Sequence, residues 1–476
     1  MRRLAILFLA ALAFAGCAVG PDYVRPTADP PPSWRVTEKQ ADNAADTAWW
    51  GQFDDPVLDN LIRVALQENL DLRIAAARVD EFAGRYGFVR AGLFPQVGAG
   101  ASAGRERITG DTGNTLPAGY NLTTSSYSAV LNAGWEVDIW GRIRRATESA
   151  RADLVGTEEG RRAVILSLVG SVAGSYVNLL DLDRQLEIAR NTAKSRGESL
   201  ELFRMRFEGG VTSEVEYVQV KSQYEEAMAT IPAIEKAIAQ QENALSVLLG
   251  RNPGPIPRGK TIDRLALPAI PAGLPSDLLE RRPDLRQAEQ ALISANAQIG
   301  VAKAAYYPTI GLTGFFGSAS ADLSNLFTGP AKVWGYSVPV SMPIFTAGKI
   351  AGSVQAAEAI QQQALAGYRK SIQNAFREVD DALVDQARTR EQLSSQGRQV
   401  DALRKYLELA NLRFDNGYTS YLEVLDAERS LFNAQLSYVQ NQGVLFQAVI
   451  NLYKAMGGGW VTEADKLAGA APQPRE

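Results

Sequence analysis

Two hydrophobic rhythms take turns along this chain. In Tyr127, Ala129, Leu131, Ala133, Trp135, Val137 and Ile139 the apolar residues alternate with Ser128, Asn132, Gly134, Glu136 and Asp138, the period of two that predicts a β-strand. Val97, Ala99, Ala101 and Ala103 show the same alternation earlier, and Ile310 and Leu312, then Tyr336, Val338, Val340, Met342 and Ile344, show it again later, so two strand hairpins are expected. Between them the period lengthens. Residues 58 to 92 and 276 to 305 read as helices that end before Pro95 and Pro308, because the residue preceding a proline disfavours helical dihedrals. From Gly141 to Phe207 there is no proline, and the stripe Leu182, Leu186, Ala189, Ala193, Arg196, Leu200, Phe203, Phe207 keeps a four-three spacing. At 1.5 Å per residue this helix runs to roughly 100 Å. A second stripe, Leu166, Val169, Ala173, Tyr176, Leu180, gives it another neighbour. Return helices follow over 213–250, where Pro232 predicts a kink, and over 420–456, where Leu425, Arg429, Phe432, Leu436, Val439, Gly443, Phe446, Ile450 and Tyr453 hold a heptad with two charged or small exceptions, of coiled-coil type.

The chain is written twice. A shift of 213 lays Leu66, Asp71, Leu72, Arg73, Gly87 and Pro95 onto Leu279, Asp284, Leu285, Arg286, Gly300 and Pro308. A shift of 207 lays Gly141, Ile143, Arg206, Phe207, Gly210, Thr212, Ser213, Glu216 and Gly250 onto Gly348, Ile350, Arg413, Phe414, Gly417, Thr419, Ser420, Glu423 and Gly457. A unit this long exceeds solenoid periods of roughly 20 to 50 residues and marks a duplicated domain. Proline clusters set the joints, which gives a first repeat over 58–250, a linker over 251–273, a second repeat over 274–457 and a tail over 458–476 expected to be flexible.

The beginning of the chain bears on where it works. Arg2 and Arg3, the apolar run Leu4 to Phe14, and Phe14-Ala15-Gly16-Cys17 have the layout of a secretory signal over 1–16. Cys17, the only cysteine, fits a lipobox in which the thiol is acylated before cleavage, and several acyl chains, at about 0.8 kcal/mol per buried CH₂, anchor firmly. Ala18 after it fits sorting to the outer membrane. Residues 17–57, with Pro21, Pro26, Pro30, Pro31 and Pro32, read as a stiff tether. The formal net charge of −4 and the lack of a basic patch suggest no nucleic-acid partner. Beyond the signal no apolar run of about 18 or more residues is apparent, which excludes helical spans. A membrane role then needs strands.

Catalysis finds no foothold. With no histidine and a single cysteine, His-based triads and metal sites are impossible, the glycine-rich segment Gly98 to Gly104 lacks a P-loop lysine, and no catalytic, cofactor-binding or metal residues are expected. Four strands cannot close a barrel in lipid, since open edges leave backbone groups unpaired, so a membrane reading requires oligomerisation. The competing reading is a lipid-anchored periplasmic coiled-coil scaffold or adaptor, with a carboxylate-based cell-wall hydrolase a distant third. Alternating strands placed identically in both copies favour the barrel.

The lipobox followed by Gly20-Pro21-Asp22-Tyr23-Val24-Arg25-Pro26, the Trp49-Trp50 pair with Phe53, Asp55 and Pro56, the Arg281-Arg282-Pro283-Asp284 motif and the twin Arg-Phe-x-x-Gly-x-Thr-Ser-x-x-Glu motifs at Arg206 and Arg413 resemble the lipoprotein branch of the outer-membrane efflux family, the TolC-like outer-membrane factors. The resemblance implies a mainly α fold with a β-barrel portion: a homotrimer whose 12-stranded barrel spans the outer membrane and continues as a 12-helix periplasmic α-barrel, closed at its tip. It implies a periplasmic adaptor and an inner-membrane pump, of RND type, as partners, and a passive exit duct for drugs or other toxic small molecules as the function. The tips would be the helix-hairpin turns at Gly210, Thr212, Ser213 and at Gly417, Thr419, Ser420. Leu422, Asp426 and Arg429 fall on positions matching the family's gate, with Glu423 at another acidic ring position, while the first copy departs from the pattern with Val215, Gln219 and Ser222.

Overall fold

A computed structural model describes residues 18–28, 30–36, 48–109, 121–269, 275–457 and 460–469. Its principal elements are α1 (Pro56–Glu68), α2 (Leu70–Ala91), β1 (Gln96–Arg107), β2 (Thr123–Val137), α3 (Arg142–Glu208), α4 (Glu214–Leu248), α5 (Leu278–Arg281), α6 (Pro283–Ala304), β3 (Thr309–Ser320), β4 (Lys332–Ser337), β5 (Val340–Ser341), α7 (Lys349–Asp415), α8 (Tyr421–Met456) and α9 (Trp460–Gly469). The long helices α3 and α7 each hold 67 residues, as the repeat demands. The chain divides into two compact units, one of 1–26, 79–157 and 288–368, the other of 27–78, 158–287 and 369–476. The signal at 1–16 and Cys17 lie outside the described residues.

The first unit carries the sheet. Its strands run in the order β1-β2-β3-β4, all antiparallel, with β5 also on β3. The hairpin of each repeat is present, and the two are joined through the β2–β3 ladder from Tyr127↔Ser320 to Val137↔Ile310. The pleat sorts the side chains. Ala99, Leu131, Phe316 and Trp334 stand directly across from one another, and the last three are 53%, 61% and 70% exposed. The opposite face is mostly small and polar apart from Val130, Phe315 and Val333, with Ser102 Oγ 2.8 Å from Ser128 Oγ and Thr313 Oγ1 2.8 Å from Ser337 Oγ. At Gly317 a Cβ would lie 2.2 Å from the Ala129 carbonyl oxygen, so the ladder between repeats closes only around a residue without one. The last expected strand is corrected. The strand begins at Lys332 and is interrupted at Val338 and Pro339, although the Pro339 carbonyl still accepts from Gly311 N at 2.9 Å, and residues 342–344 are not strand, because Pro339 and Pro343 have no N–H to give a ladder. The proline-rich segment after Ala18 is not a free tether either: Val19 N donates to the Trp140 carbonyl at 2.9 Å, Asn296 Nδ2 to the Pro21 carbonyl at 2.9 Å, and Tyr23 Oη to Glu289 at 3.0 Å.

The second unit holds the principal core. The α3 stripe Leu166, Val169, Ala173, Tyr176 and Leu180 is buried against Val439, Phe446, Ile450 and Tyr453 of α8, as the heptads predict. An 18-residue window of α3 is long and apolar enough to cross a membrane, contrary to the expectation that no such stretch exists, and 67% of it is buried within the protein. It is core. The continuous helix expected over 58–92 breaks at Asn69, whose ψ of 130° ends α1 while its side chain accepts from Leu72 N and donates to the Leu248 carbonyl, both at 2.9 Å. The helix expected over 276–305 breaks at the equivalent place, where Pro283 opens α6 and Arg282 pairs with Asp284 and Glu378. Pro232 sits inside α4 without ending it. Asp55 explains its own motif: fully buried, it caps α1 by accepting from Val57 N at 2.9 Å, and takes Tyr176 Oη at 2.9 Å and Lys260 N at 3.0 Å. Through Lys260 the linker is drawn onto the core, with Ile256, Ile262 and Leu265 buried. The tail expected to be flexible is helical over Trp460–Gly469, with Trp460 fully buried against Trp49 and Trp50 at ring distances of 6.1 and 5.7 Å. Residues 458–459 and 470–476 lie outside the described residues.

Candidate functional site: the helix-hairpin tips

Both hairpins turn by the same local rule. Gly210 (φ 70°) and Gly417 (φ 74°) take left-handed dihedrals at the end of α3 and α7, which glycine adopts without penalty. Val211 N then donates to the Arg206 carbonyl and Tyr418 N to the Arg413 carbonyl, both at 2.8 Å, closing each helix C-terminus. Beyond the turn the chemistry diverges. In the first copy Ser213 and Glu216 form a complete capping box at the start of α4, and Thr212 Oγ1 also donates to Glu216; these bonds, that from Thr212 first, hold the Glu216 carboxyl below its usual pKa. In the second copy Ser420 makes no side-chain cap bond. Glu423 instead accepts from Thr419 Oγ1 and from Arg413 Nη1, the latter at 2.7 Å.

Arg206, the repeat equivalent of Arg413, does something different. Its guanidinium lies 5.6 Å from the Phe203 ring centre and 5.7 Å from that of Phe414, and Tyr421 packs on both rings. Sequence reasoning singled out the twin motifs but not this split of roles. The ten-residue spacing from Arg413 to Glu423 exists as Arg206 to Glu216 too, so spacing alone could not have revealed it.

The predicted gate residues come together in part. Asp426 Oδ1 accepts from Arg429 Nη2 at 2.6 Å, both side chains half exposed, and Leu422 beside them is 58% exposed. Glu423 is drawn away into the turn. Gln219 and Ser222 of α4, expected to be departures of the first copy, line one cavity of about 240 Å3 with Gln223, Leu422, Leu425, Asp426 and Arg429. Val215 is 65% exposed and takes no part in that lining. Among the described residues no group of three or more Asp, Glu or Cys side chains could hold a metal.

A two-repeat chain with one apolar-faced open sheet and four long helices ending in paired turns is the protomer of an outer-membrane channel. Comparison with known proteins agrees, and the chain belongs to the outer membrane efflux protein family, which it matches over residues 61–251 and 274–458, that is, over both repeats. It is 38% identical over 468 residues to the solvent efflux pump outer membrane protein SrpC of Pseudomonas putida, covering 97% of this chain and 99% of that one. It is 37% identical over 460 residues to the cation efflux system protein CusC of Escherichia coli, covering 95% and 98%. The solved open state of the Neisseria gonorrhoeae MtrE outer membrane channel superposes with a TM-score of 0.83 at 31% identity, covering 93% and 99%. The protein is thus an outer-membrane channel component of a multi-component efflux system. Its family consists of channels rather than enzymes.

Proposed function

We propose that three copies of this chain close one 12-stranded barrel and one 12-helix tunnel, forming a passive exit duct for small toxic solutes. The observation that carries this is the open sheet. Among the described residues β1 and β4 each pair on one side only, while Leu131, Phe316 and Trp334 present an apolar face to the surroundings. In lipid such edges must be paired, and neighbouring copies of the same sheet are the partners at hand. A periplasmic scaffold has no use for that face.

Cys17 carries the lipid that holds the chain at the membrane. The hairpin tips form the periplasmic gate, with Leu422, Asp426 and Arg429 facing the constriction and Glu423 bracing the turn that presents them. The apposition of Gln219 and Ser222 to Asp426 supports a gate built from both repeats. A periplasmic adaptor engages the tips, and an inner-membrane pump of RND type supplies the energy. The relatives named for solvent, toluene and cation efflux suggest small organic solutes or cations as cargo. Planar-bilayer recording of the purified protein, with chemical crosslinking, is the test: discrete conductance steps and a trimer band are expected, and a monomer without conductance would overturn the proposal.

A further inference from the structure

The apolar face of the sheet changes character at the end of the β1–β2 hairpin remote from α2 and α3. On β1, Val97, Ala99, Ala101 and Ala103 are followed on the same face by Arg105 and Arg107, which stand opposite Ser125 and Thr123 of β2. Both arginines are exposed. Glu106 between them belongs to the other face, because successive side chains of a strand alternate. Lys332, two residues before Trp334 on β4, shares the arginines' face. No acid stands on this face in β1 to β4.

The two ends of the hairpin treat arginine differently. At the helix end Arg142 Nη2 lies 2.7 Å from Glu136 Oε2 and Arg144 Nε 3.4 Å from Asp138 Oδ2. At the remote end neither Arg105 nor Arg107 forms an ion pair or a side-chain hydrogen bond among the described residues. Strand geometry sets the level of these free charges. Val97 pairs with Ala133, two residues from Trp135, whose Nε1 donates to the Leu93 carbonyl at 3.1 Å and which marks the lower aromatic girdle. Arg105 and Arg107 lie eight and ten residues beyond Val97. At about 3.4 Å per residue and a tilt of roughly 35–45°, they stand about 21 and 26 Å above it, against an apolar band of about 25 Å in outer-membrane barrels. Tyr127, opposite Ala103 and directly below them, is the upper aromatic.

We infer that Arg105 and Arg107 grip the phosphate groups of an outer-leaflet lipid, whose acyl chains lie along the alanine track beneath them. Guanidinium forks match phosphate oxygens bidentately, and the hydroxyls of Ser125 and Thr123 at the facing positions are further donors. With Cα atoms about 7 Å apart along the strand, the two arginines can hold one phosphate between them or one each. Free phosphate would satisfy the charges but not the apolar surface directly below. The small side chains of Ala99, Ala101 and Ala103 leave room there for hydrocarbon, so charge above and apolar track below together select an amphiphile with a phosphorylated head. The inference rests on the channel reading for which side of the sheet meets lipid. Lipid binding is read without conduction and pore formation without added phospholipid, so the two fail separately.

Native mass spectrometry of the full-length protein in detergent, with bisphosphorylated lipid A as the probe and its dephosphorylated form as the counterpart, tests it. A saturable adduct of the bisphosphorylated lipid is expected, with little of the dephosphorylated one, and excess inorganic phosphate should not displace it. Arg105→Gln combined with Arg107→Gln should weaken binding about tenfold or more, the range of a charged hydrogen bond. Both positions are exposed, so the fold should tolerate the change. Arg388→Gln combined with Arg404→Gln, which removes the same charge from exposed positions on α7, should leave the adduct unchanged. Equal binding of the two lipids, ready displacement by inorganic phosphate, binding unaltered in the Arg105 and Arg107 variant, or an equal loss in the α7 variant would overturn the assignment.

Discussion

Replacing Asp181 with asparagine should make the protein more stable at neutral pH, although it replaces a carboxylate that accepts a hydrogen bond from Gln185. Desolvation is the reason: burial lifts the Asp181 carboxyl from 3.8 to about 6, against a smaller opposing effect of the Gln185 hydrogen bond. A folded-state pKa above the unfolded one means that stability is fully present below the unfolded value and is lost as pH rises through the folded value. The window is therefore about pH 4 to 6. At roughly 1.4 kcal/mol per pH unit, the charged carboxylate costs the fold about 3 kcal/mol above that window. Asparagine keeps the acceptor for Gln185 and carries no charge. The charge is removed while that hydrogen bond is kept, so much of the gain should remain. With an unfolding entropy of about 2.1 cal/mol/K per residue, a chain of this length moves its midpoint by about 1 °C per kcal/mol, and Tm by circular dichroism in detergent should rise by roughly 3 °C at pH 8. At pH 4, where the wild-type carboxyl is protonated in the folded state, the difference should shrink to about half a degree. A gain that is equal at both pH values, or a loss at pH 8, would refute the desolvation argument.

Cys17→Ser should abolish acylation, read by metabolic labelling with a radioactive fatty acid; undiminished labelling would remove the lipobox assignment. Cysteines introduced at Ala129, Leu131 and Ala133, on the apolar face of β2, should react with a lipid-soluble maleimide in proteoliposomes, whereas those at Val130 and Asn132, on the other face, should not. Uniform reactivity along the strand would argue against a barrel wall. Asp426→Asn should raise by about threefold or more the divalent cation concentration that blocks the pore from the periplasmic side, because rings of like carboxylates attract cations. Gln219→Ala in the same cavity should change it little, and unaltered block in single-channel recordings of Asp426→Asn would place the acidic gate elsewhere.

The repeat, the long helices and the core heptads were legible because each is a periodic pattern that packing reproduces residue for residue: Leu166 to Leu180 on α3 and Val439 to Tyr453 on α8 are buried as the spacing demands. Interruptions were less legible. Asn69 reads as one polar residue in a helix, and only the distant Leu248 carbonyl makes it a break. The tail after Gly459 reads as flexible because the residues that receive Trp460 are Trp49 and Trp50, over 400 positions away. At the tips, glycine turns and cap residues were visible in the sequence, whereas the joint use of Gln219 and Asp426 depends on α4 and α8 lying side by side.

The unlike bracing of the two turns has a consequence for how duplicated halves age. An ion pair between Arg413 and Glu423, exposed by 54% and 22%, is screened as ionic strength rises and the Debye length contracts from about 10 Å at 0.1 M to about 3 Å at 1 M. The stacking of Arg206 on Phe203 and Phe414, with the capping box of Ser213 and Glu216, depends far less on salt. One ancestral hairpin has thus become two parts with different electrolyte responses. Brine would loosen the second tip while leaving the first as a fixed post for it to move against.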